Sequence, residues 1–303
     1  MTSYNYHQPV LLQDCINGLN IQENGIYADV TFGGGGHSKE ILKHLGPEGK
    51  LFVFDQDPDA KKNLWDDKRL IFIQQNFRHL KNFMRLHGVK SLNGILADLG
   101  VSSHQFDAAE RGFSIRFEGN LDMRMNKSEK VSADVLLNNY EEGKLAEIFR
   151  NYGELKEAKR LARTIANYRS EKQIETTEEL KLLVKPIIPS FEKESKYLAR
   201  VFQAIRIAVN DEIDALREFL EQSAEVLQPG GRLVIISYHS LEDRLVKNIV
   251  KTGNTEGEIK KDFFGNIFRP FIQITKKPIE PSETEILKNN RARSAKLRIA
   301  EKK

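Results

Sequence analysis

Four short runs in the first hundred residues, "GIYADVT" (25–31), "KLFVFD" (50–55), "LIFIQQ" (70–75) and "NGILADLG" (93–100), are rich in Ile, Val, Phe and Leu and bounded by turn formers. That is the pattern of strands buried on both faces. Between the first two, Ser38 to Leu45 sets Ile41, Leu42 and Leu45 on one side of a helix that stops at Gly46 and Pro47. Strands alternating with helices predict a parallel sheet with helices on both faces. From about Glu110 to Gln203 the strand pattern disappears. "YEEGKLAEIFRNYG", "LKEAKRLARTIANYR" and "TTEELKLLVKPIIP" carry helical spacing instead, punctuated by Pro186 and Pro189. A long helical pattern then runs from about Ala199 to Leu227 and ends in "LQPGG". After it come the strand "RLVIIS" (232–237), a helix from Ser240, and β-like runs at 266–275 and 295–300. The expectation is an α/β domain built from residues 1–110 and 205–303, with a helical domain, 111–204, inserted after the fourth strand.

Composition narrows the class. With 303 residues, 40 % of them hydrophobic, the chain has ample material for a sizeable core. It is 30 % charged and has no run of about 18 apolar residues and no basic-then-apolar leader, so cytoplasmic residence without a membrane anchor is expected. The single cysteine, Cys15, cannot form an internal disulfide, and the absence of CxxC, HExxH or EF-hand spacing predicts no metal. The net charge of +4 hints at an anionic partner, and its distribution says more. Residues 156–206 hold 12 Lys or Arg against 7 Asp or Glu, and residues 287–303 hold 7 against 1.

The chemistry starts at "TFGGGGHSKE" (31–40). A glycine turn between a first strand and its helix lets backbone N–H groups come close to a ligand. A P-loop requires Lys after its last glycine, and His37 stands there, which disfavours nucleoside triphosphate hydrolysis. An acid about 20 residues on, at the end of the second strand, would accept hydrogen bonds from ribose hydroxyls; Asp55 lies 19 residues after Gly36. Those features suit a dinucleotide and S-adenosylmethionine equally, and they also suit a bare tight turn with Asp55 capping a loop. Asp98 ends the fourth strand, at the edge where open α/β sheets bind ligands, and can accept from a cofactor or substrate amine. "SYHSLEDR" (237–244) brings Tyr238 and His239 to the same edge, although Ser240 with Asp243 also reads as a helix start. The GxSxG elbow of covalent hydrolases is missing.

"HQPVLL" (7–12), "YADVTFGGGGHS" (27–38), "DLGVSSHQFDAAERGFSIR" (98–116), "LDMRM" (121–125), "FQAIRIAVNDE" (202–212), "PGGRLVIISYHSLEDR" (229–244) and "RARSAKLRIAE" (291–301) together resemble the bacterial 16S ribosomal RNA cytosine-N4 methyltransferases, in order and over nearly the whole chain. The resemblance implies a Rossmann-like class I methyltransferase sheet with an inserted helical substrate-recognition domain. It implies transfer of the methyl group of S-adenosylmethionine to the exocyclic amine of a cytidine in the decoding region of the small ribosomal subunit. The implied cofactor contacts are Gly35, Gly36 and His37 in the glycine turn, Asp55, Phe77 after the third strand, Asp98, and Gln105 in the following segment. Two positions depart from the family pattern: Gly34, where Arg is usual, and His104, where Pro is common.

On this reading the small-subunit RNA meets the helical insertion, where Tyr152, Tyr168 and Tyr197 interleaved among basic residues suit base stacking and phosphate contact. Alignment of the amine with an already activated methyl is worth roughly 7–11 kcal/mol, and Asp98 with Tyr238 and His239 are the candidate acceptors for the amine hydrogens. Two competing readings are a non-catalytic RNA-binding assembly factor and a DNA amino-methyltransferase. The latter would carry a "DPPY"-type tetrapeptide where "DLGV" stands. The oligomeric state is not legible.

Overall fold

The computed structural model describes residues 9–259, 261–265 and 268–303. The chain forms two compact units, Met1–Gly100 with Ile213–Lys303, and Val101–Glu212. The first unit opens with α1 (Leu12–Leu19), β1 (Ile26–Asp29), α2 (Gly36–His44), β2 (Lys50–Phe54), β3 (Leu70–Ile73), α3 (Leu80–Leu86) and β4 (Leu92–Asp98). The second contains α4 (Ser103–Asp107), α5 (Ala133–Asn139), α6 (Glu142–Asn151), α7 (Ala158–Arg169), α8 (Thr177–Val184) and α9 (Glu194–Asn210). The chain then returns through α10 (Glu212–Val226), β5 (Leu227–Ser237), α11 (Ser240–Thr252), β6 (Phe271–Gln273), α12 (Glu283–Lys288) and β7 (Lys296–Lys302).

The seven strands lie in the order β3-β2-β1-β4-β5-β7-β6. The first five in that row are mutually parallel, and β7 runs antiparallel to both β5 and β6. Alternate residues of the central strands serve two separate cores. Phe52, Phe54, Ile95, Ala97, Leu233 and Ile235 pack on one face with Leu216 and Phe219 of α10 and Val246 of α11. Leu51, Val53, Leu96, Val234 and Ile236 pack on the other with Cys15, Ile16 and Leu19 of α1 and Ile41 of α2. Because both faces are covered, each strand reads as a continuous apolar run.

Several expectations need correction. The helical pattern from Ala199 to Leu227 is two helices, separated at Asp211, whose φ of 51° is left-handed. Asp tolerates that conformation, and its N–H closes α9 on the carbonyl of Ile207. The second helix ends at Val226, as expected just before "LQPGG", but that stretch already belongs to β5 rather than to a turn ahead of it. Leu227 already pairs with Leu92, and a register shift absorbs the following residues before Arg232 pairs with Gly94. α1 was not anticipated. The β-like run at 266–275 contains only the short β6, and Asn266 and Ile267 fall outside the described residues. The units divide at 100/101 and 212/213 rather than 110/111 and 204/205. The carbonyl of Arg111 accepts from Met123 N–H, and Gly119 lies so close to Ala109 that a Cβ would meet its carbonyl oxygen at 2.0 Å, which ties residues 109–111 to the helical unit. At the other end α9 continues unbroken to Asn210.

The helical unit has its own core, which includes Leu136, Phe149, Leu161, Ile165, Leu180, Val201 and Ile205. Tyr197 belongs to it and is fully buried, so it is closed to base stacking; Tyr152 and Tyr168 pack partly buried against the same cluster. Burial pushes the Tyr197 hydroxyl up to about 12, and the Arg200 guanidinium lies over its ring at 5.4 Å. Truncation of an enclosed aromatic leaves a cavity. Tyr197→Ala is therefore expected to lower unfolding free energy by roughly 3–5 kcal/mol in urea titration, whereas a solvent-facing tyrosine would cost below about 0.5 kcal/mol.

Candidate active site at the carboxyl edge of the sheet

The pairing of β1 with β2 and with β4 brings the ends of all three strands to one edge. β1 ends at Asp29 and the chain turns through the glycines into α2. Gly35 has a φ of 73°, and a Cβ there would meet the Phe32 and Trp65 rings at 2.8 Å. At Gly36 a Cβ would meet Pro9 Cγ at 2.3 Å. Any side chain at either position would push the turn away from the edge. Asp55 braces the same turn from β2: Oδ2 accepts from Gly33 N–H and Oδ1 from Asp57 N–H, both at 2.8 Å. Burial pushes the Asp55 carboxyl up to about 6. Two bonds use about half of a carboxylate's acceptor sites, so further hydrogen-bond donors would relieve that desolvation.

Beside the turn lies a second group of polar side chains, Asp29, His37 and Ser38 buried and Thr31, Asp98 and Tyr238 partly so. Tyr238, just past β5, donates its hydroxyl to Asp98 Oδ1 at 2.7 Å. Asp98 Oδ2 faces His37 Nδ1 at 3.9 Å, and His37 Nε2 lies 3.1 Å from the carbonyl of Val10. Thr31 Oγ accepts from Asp98 N–H at 2.6 Å, which fixes the β4 end to the glycine turn. Asp29 accepts from Ser38 Oγ at 2.6 Å and from Thr31 N–H at 3.2 Å. Desolvation raises Asp29 above the ordinary carboxylate range and pushes Asp98 up to about 6, with His37 pulling Asp98 back and Asp29 adding to the rise. The Tyr238 hydroxyl is also raised, first by burial and then by Asp98.

The structure thus brings Gly35, Gly36, His37, Asp55, Asp98 and Tyr238 to one edge of one unit. Phe77 stands after β3 and is half-buried, its ring packed edge-on against Phe219 with centroids 5.3 Å apart. Gln105 lies in the other unit, buried, where its amide completes a capping box with Ser102 at the start of α4. His239 does not join Tyr238 at Asp98. Its Nδ1 accepts from Glu242 N–H at 3.4 Å and its Nε2 lies 3.2 Å from Glu242 Oε1, so the side chain caps α11. The expected cap is displaced by one residue, to His239 and Glu242. Sequence reading missed Asp29, Thr31 and Ser38; an acid closing the first strand just before the glycines was the available signal.

A doubly wound sheet with an antiparallel seventh strand, a glycine turn after β1 and acids ending β2 and β4 defines the class of S-adenosylmethionine-dependent methyltransferases. The residues fit that ligand: Asp55 has acceptor capacity for the ribose hydroxyls, and the turn is bare of side chains where backbone must approach. Within the class the chain belongs to the MraW methylase family, which it matches over residues 4–303. It is 58 % identical over 301 residues to the ribosomal RNA small subunit methyltransferase H of Flavobacterium johnsoniae, covering 99 % of each chain. It is 57 % identical to the protein of that name from Christiangramia forsetii, covering 98 % of each, and 55 % identical to that of Bacteroides fragilis, again over 98 % of each.

Asp98 gives a stability prediction whose sign follows from its proton. Its folded value near 6 exceeds the ordinary 3.8, so the native state holds a proton that the unfolded chain has lost between those pH values, and stability falls as pH rises through the window. In Asp98→Asn, Oδ1 can still accept from Tyr238 while the amide donates toward His37. With 24 % of the Asp98 side chain still exposed, the full linkage is discounted. The variant is expected to be more stable than wild type by about 1–2 kcal/mol above pH 6, the gain shrinking toward pH 4, in denaturant titrations without ligand.

Proposed function

We propose that this methylase transfers the methyl group of S-adenosylmethionine to the N4 amine of a cytidine in the decoding region of the small-subunit ribosomal RNA, and works in the cytoplasm where that RNA is assembled. The observation that carries the reaction type is the Asp98–Tyr238 pair, a desolvated carboxylate held at one oxygen by a hydroxyl and presented at the edge next to the glycine turn. The printed names of the relatives supply the class of RNA. When bound, the cofactor supplies a sulfonium methyl that is already activated. The rest falls to the chain: Gly35, Gly36 and His37 would hold the cofactor at the turn, Asp55 would accept from its ribose hydroxyls, and Phe77 would offer an apolar face to its adenine. Asp98 accepts hydrogen bonds from the cytidine amine as positive charge develops, and Tyr238 keeps the carboxylate aimed. His239 supports Tyr238 only through the start of α11.

The helical unit is assigned to RNA recognition. Many of its cations are already engaged: Arg169 donates to the carbonyl of Leu137, Lys172 pairs with Glu179, and Arg200 with Glu192. Lys156, Lys159, Lys185, Lys193 and Lys196 are exposed and suit phosphate contact. The basic carboxyl-terminal stretch is less open, because it forms β7 and Arg298 pairs with Asp243 there at 2.7 Å. RNA affinity is expected to fall steeply with salt, and replacing three of the five lysines by Gln should flatten the log–log salt slope by roughly 2 to 3.

Cys15 decides against ring-carbon methylation. That chemistry needs a nucleophile to activate the base, and the only cysteine is fully buried on the inner face of α1, its thiol pushed up by burial. Cys15→Ala is expected to retain activity and Asp98→Ala to lose it, with N4-methylcytidine the sole base product in mass spectrometry of digested small-subunit RNA. Detection of 5-methylcytidine, or of ribose methylation alone, would overturn the assignment.

A further inference from the structure

We infer that His37 is the proton acceptor behind Asp98: the hydrogen that leaves the cytidine amine is taken at Asp98 Oδ2 and passed to His37 Nδ1. This rests on the cytidine-N4 reading above and gives His37 a role besides cofactor contact. The geometry fixes the imidazole tautomer. His37 Nε2 is 3.1 Å from the carbonyl oxygen of Val10. A carbonyl only accepts, so Nε2 carries the hydrogen and the neutral ring turns a lone pair at Nδ1 toward Asp98 Oδ2, 3.9 Å away. The other carboxylate oxygen is occupied by the Tyr238 hydroxyl. Two acceptors therefore face each other just beyond hydrogen-bond reach, a gap that closes when one of them takes up a proton and attracts the other, and Oδ2 is the carboxylate atom in position to relay it.

The surroundings favour moving the proton on. The titratable groups around the pair are Asp29 and Glu242 beside Asp98, with Tyr238 and Cys15 close by and Asp14 and Glu285 beyond Cys15. All are neutral or anionic, so among them only His37 can hold the proton as a cation. Both Asp29 and Asp98 lie close enough to His37 to feel its charge once it takes up the proton. The amine nitrogen forms its bond to the methyl carbon as the carbon–sulfur bond breaks, and the bonding pair stays on sulfur. The nitrogen, now cationic, gives one hydrogen to Asp98 Oδ2. His37 Nδ1 takes that proton, which restores the carboxylate, and the imidazolium returns it to water before the next turnover.

The test is single-turnover methylation of small-subunit RNA at saturating S-adenosylmethionine, wild type against His37→Gln, across pH 5 to 9. Gln can keep a donor to the Val10 carbonyl but offers no site for the proton. The rate of the variant is expected to fall by roughly 10- to 100-fold, toward the range that general-base groups supply. The defect is expected to persist on the alkaline plateau, where Asp98 is ionised in both proteins and only the onward acceptor differs. A His37 that acts on Asp98 only through charge would shift the inflection and leave the plateau rate unchanged, and that outcome would overturn the relay. An unchanged rate and inflection at saturating cofactor, or a defect confined to cofactor affinity, would overturn the relay. Nitrogen-15 NMR of the wild-type protein tests the same geometry without a substitution: neutral His37 is expected as the Nε2–H tautomer, and the Nδ1–H tautomer would also overturn it. Wild type that fails to methylate the RNA would remove the cytidine reading and the relay with it, whereas active wild type beside an indifferent variant removes the relay alone.

Discussion

Parallel pairing of β1 with β2 on one side and β4 on the other is the constraint on which the site depends. Asp29 pairs in register with Val53 and Leu96, so the residues that follow Phe54 and Leu96 emerge beside the glycine turn. The strand order reverses at β1, which leaves a crevice between the outgoing connections of β1 and β4. Thr31 ties the two sides together by accepting from Asp98 N–H, and Asp55 holds the turn from β2. A one-residue slip of β4 would exchange its two faces and carry Asp98 out of reach of both His37 and Tyr238.

That edge concentrates an unfavourable arrangement. Asp29, Asp55 and Asp98 are all raised by desolvation, and the basic side chain that bears on the first and last is a histidine rather than an arginine or lysine. Each carboxyl is instead held by hydrogen bonds from Ser38, Thr31, Tyr238 or backbone N–H groups. A lysine or arginine in their place would stabilise the empty protein, but it would also occupy the acceptors and fix the protons. Acids without a permanent cation keep their capacity to accept further hydrogen bonds, which is the property the proposed reaction would draw on.

The helical unit shows the opposite use of charge. Arg169, Lys172, Arg200 and Arg206 are paired within the unit, to Leu137 and to Glu179, Glu192 and Glu212, and so hold its surface together. Its three interleaved tyrosines pack inward to different degrees, Tyr197 completely. Exposed cations of the unit, Lys156, Lys159 and Arg150 among them, carry a long-range attraction that salt screens, suited to drawing in a polyanion rather than to reading a base.

The sequence by itself determined the strands, the glycine turn and the acids that close β2 and β4, because strands buried on both faces must be apolar throughout and a tight turn must be glycine. It also gave the family resemblance that the relatives bear out. It did not reveal that the pattern from Ala199 to Leu227 breaks at Asp211, since both helices keep apolar spacing across the break. Nor could it separate Tyr238 from its neighbour: adjacent residues leave a strand in opposite directions, and only the packed helix shows that His239 caps α11 while Tyr238 reaches Asp98. Asp29 and His37 lie far from Asp98 in sequence, and only the tertiary structure makes them neighbours. Local pattern records which residues are buried or turned, but a proton's path depends on distances between atoms of different elements, and those are set when the strands pair and the helices close over them.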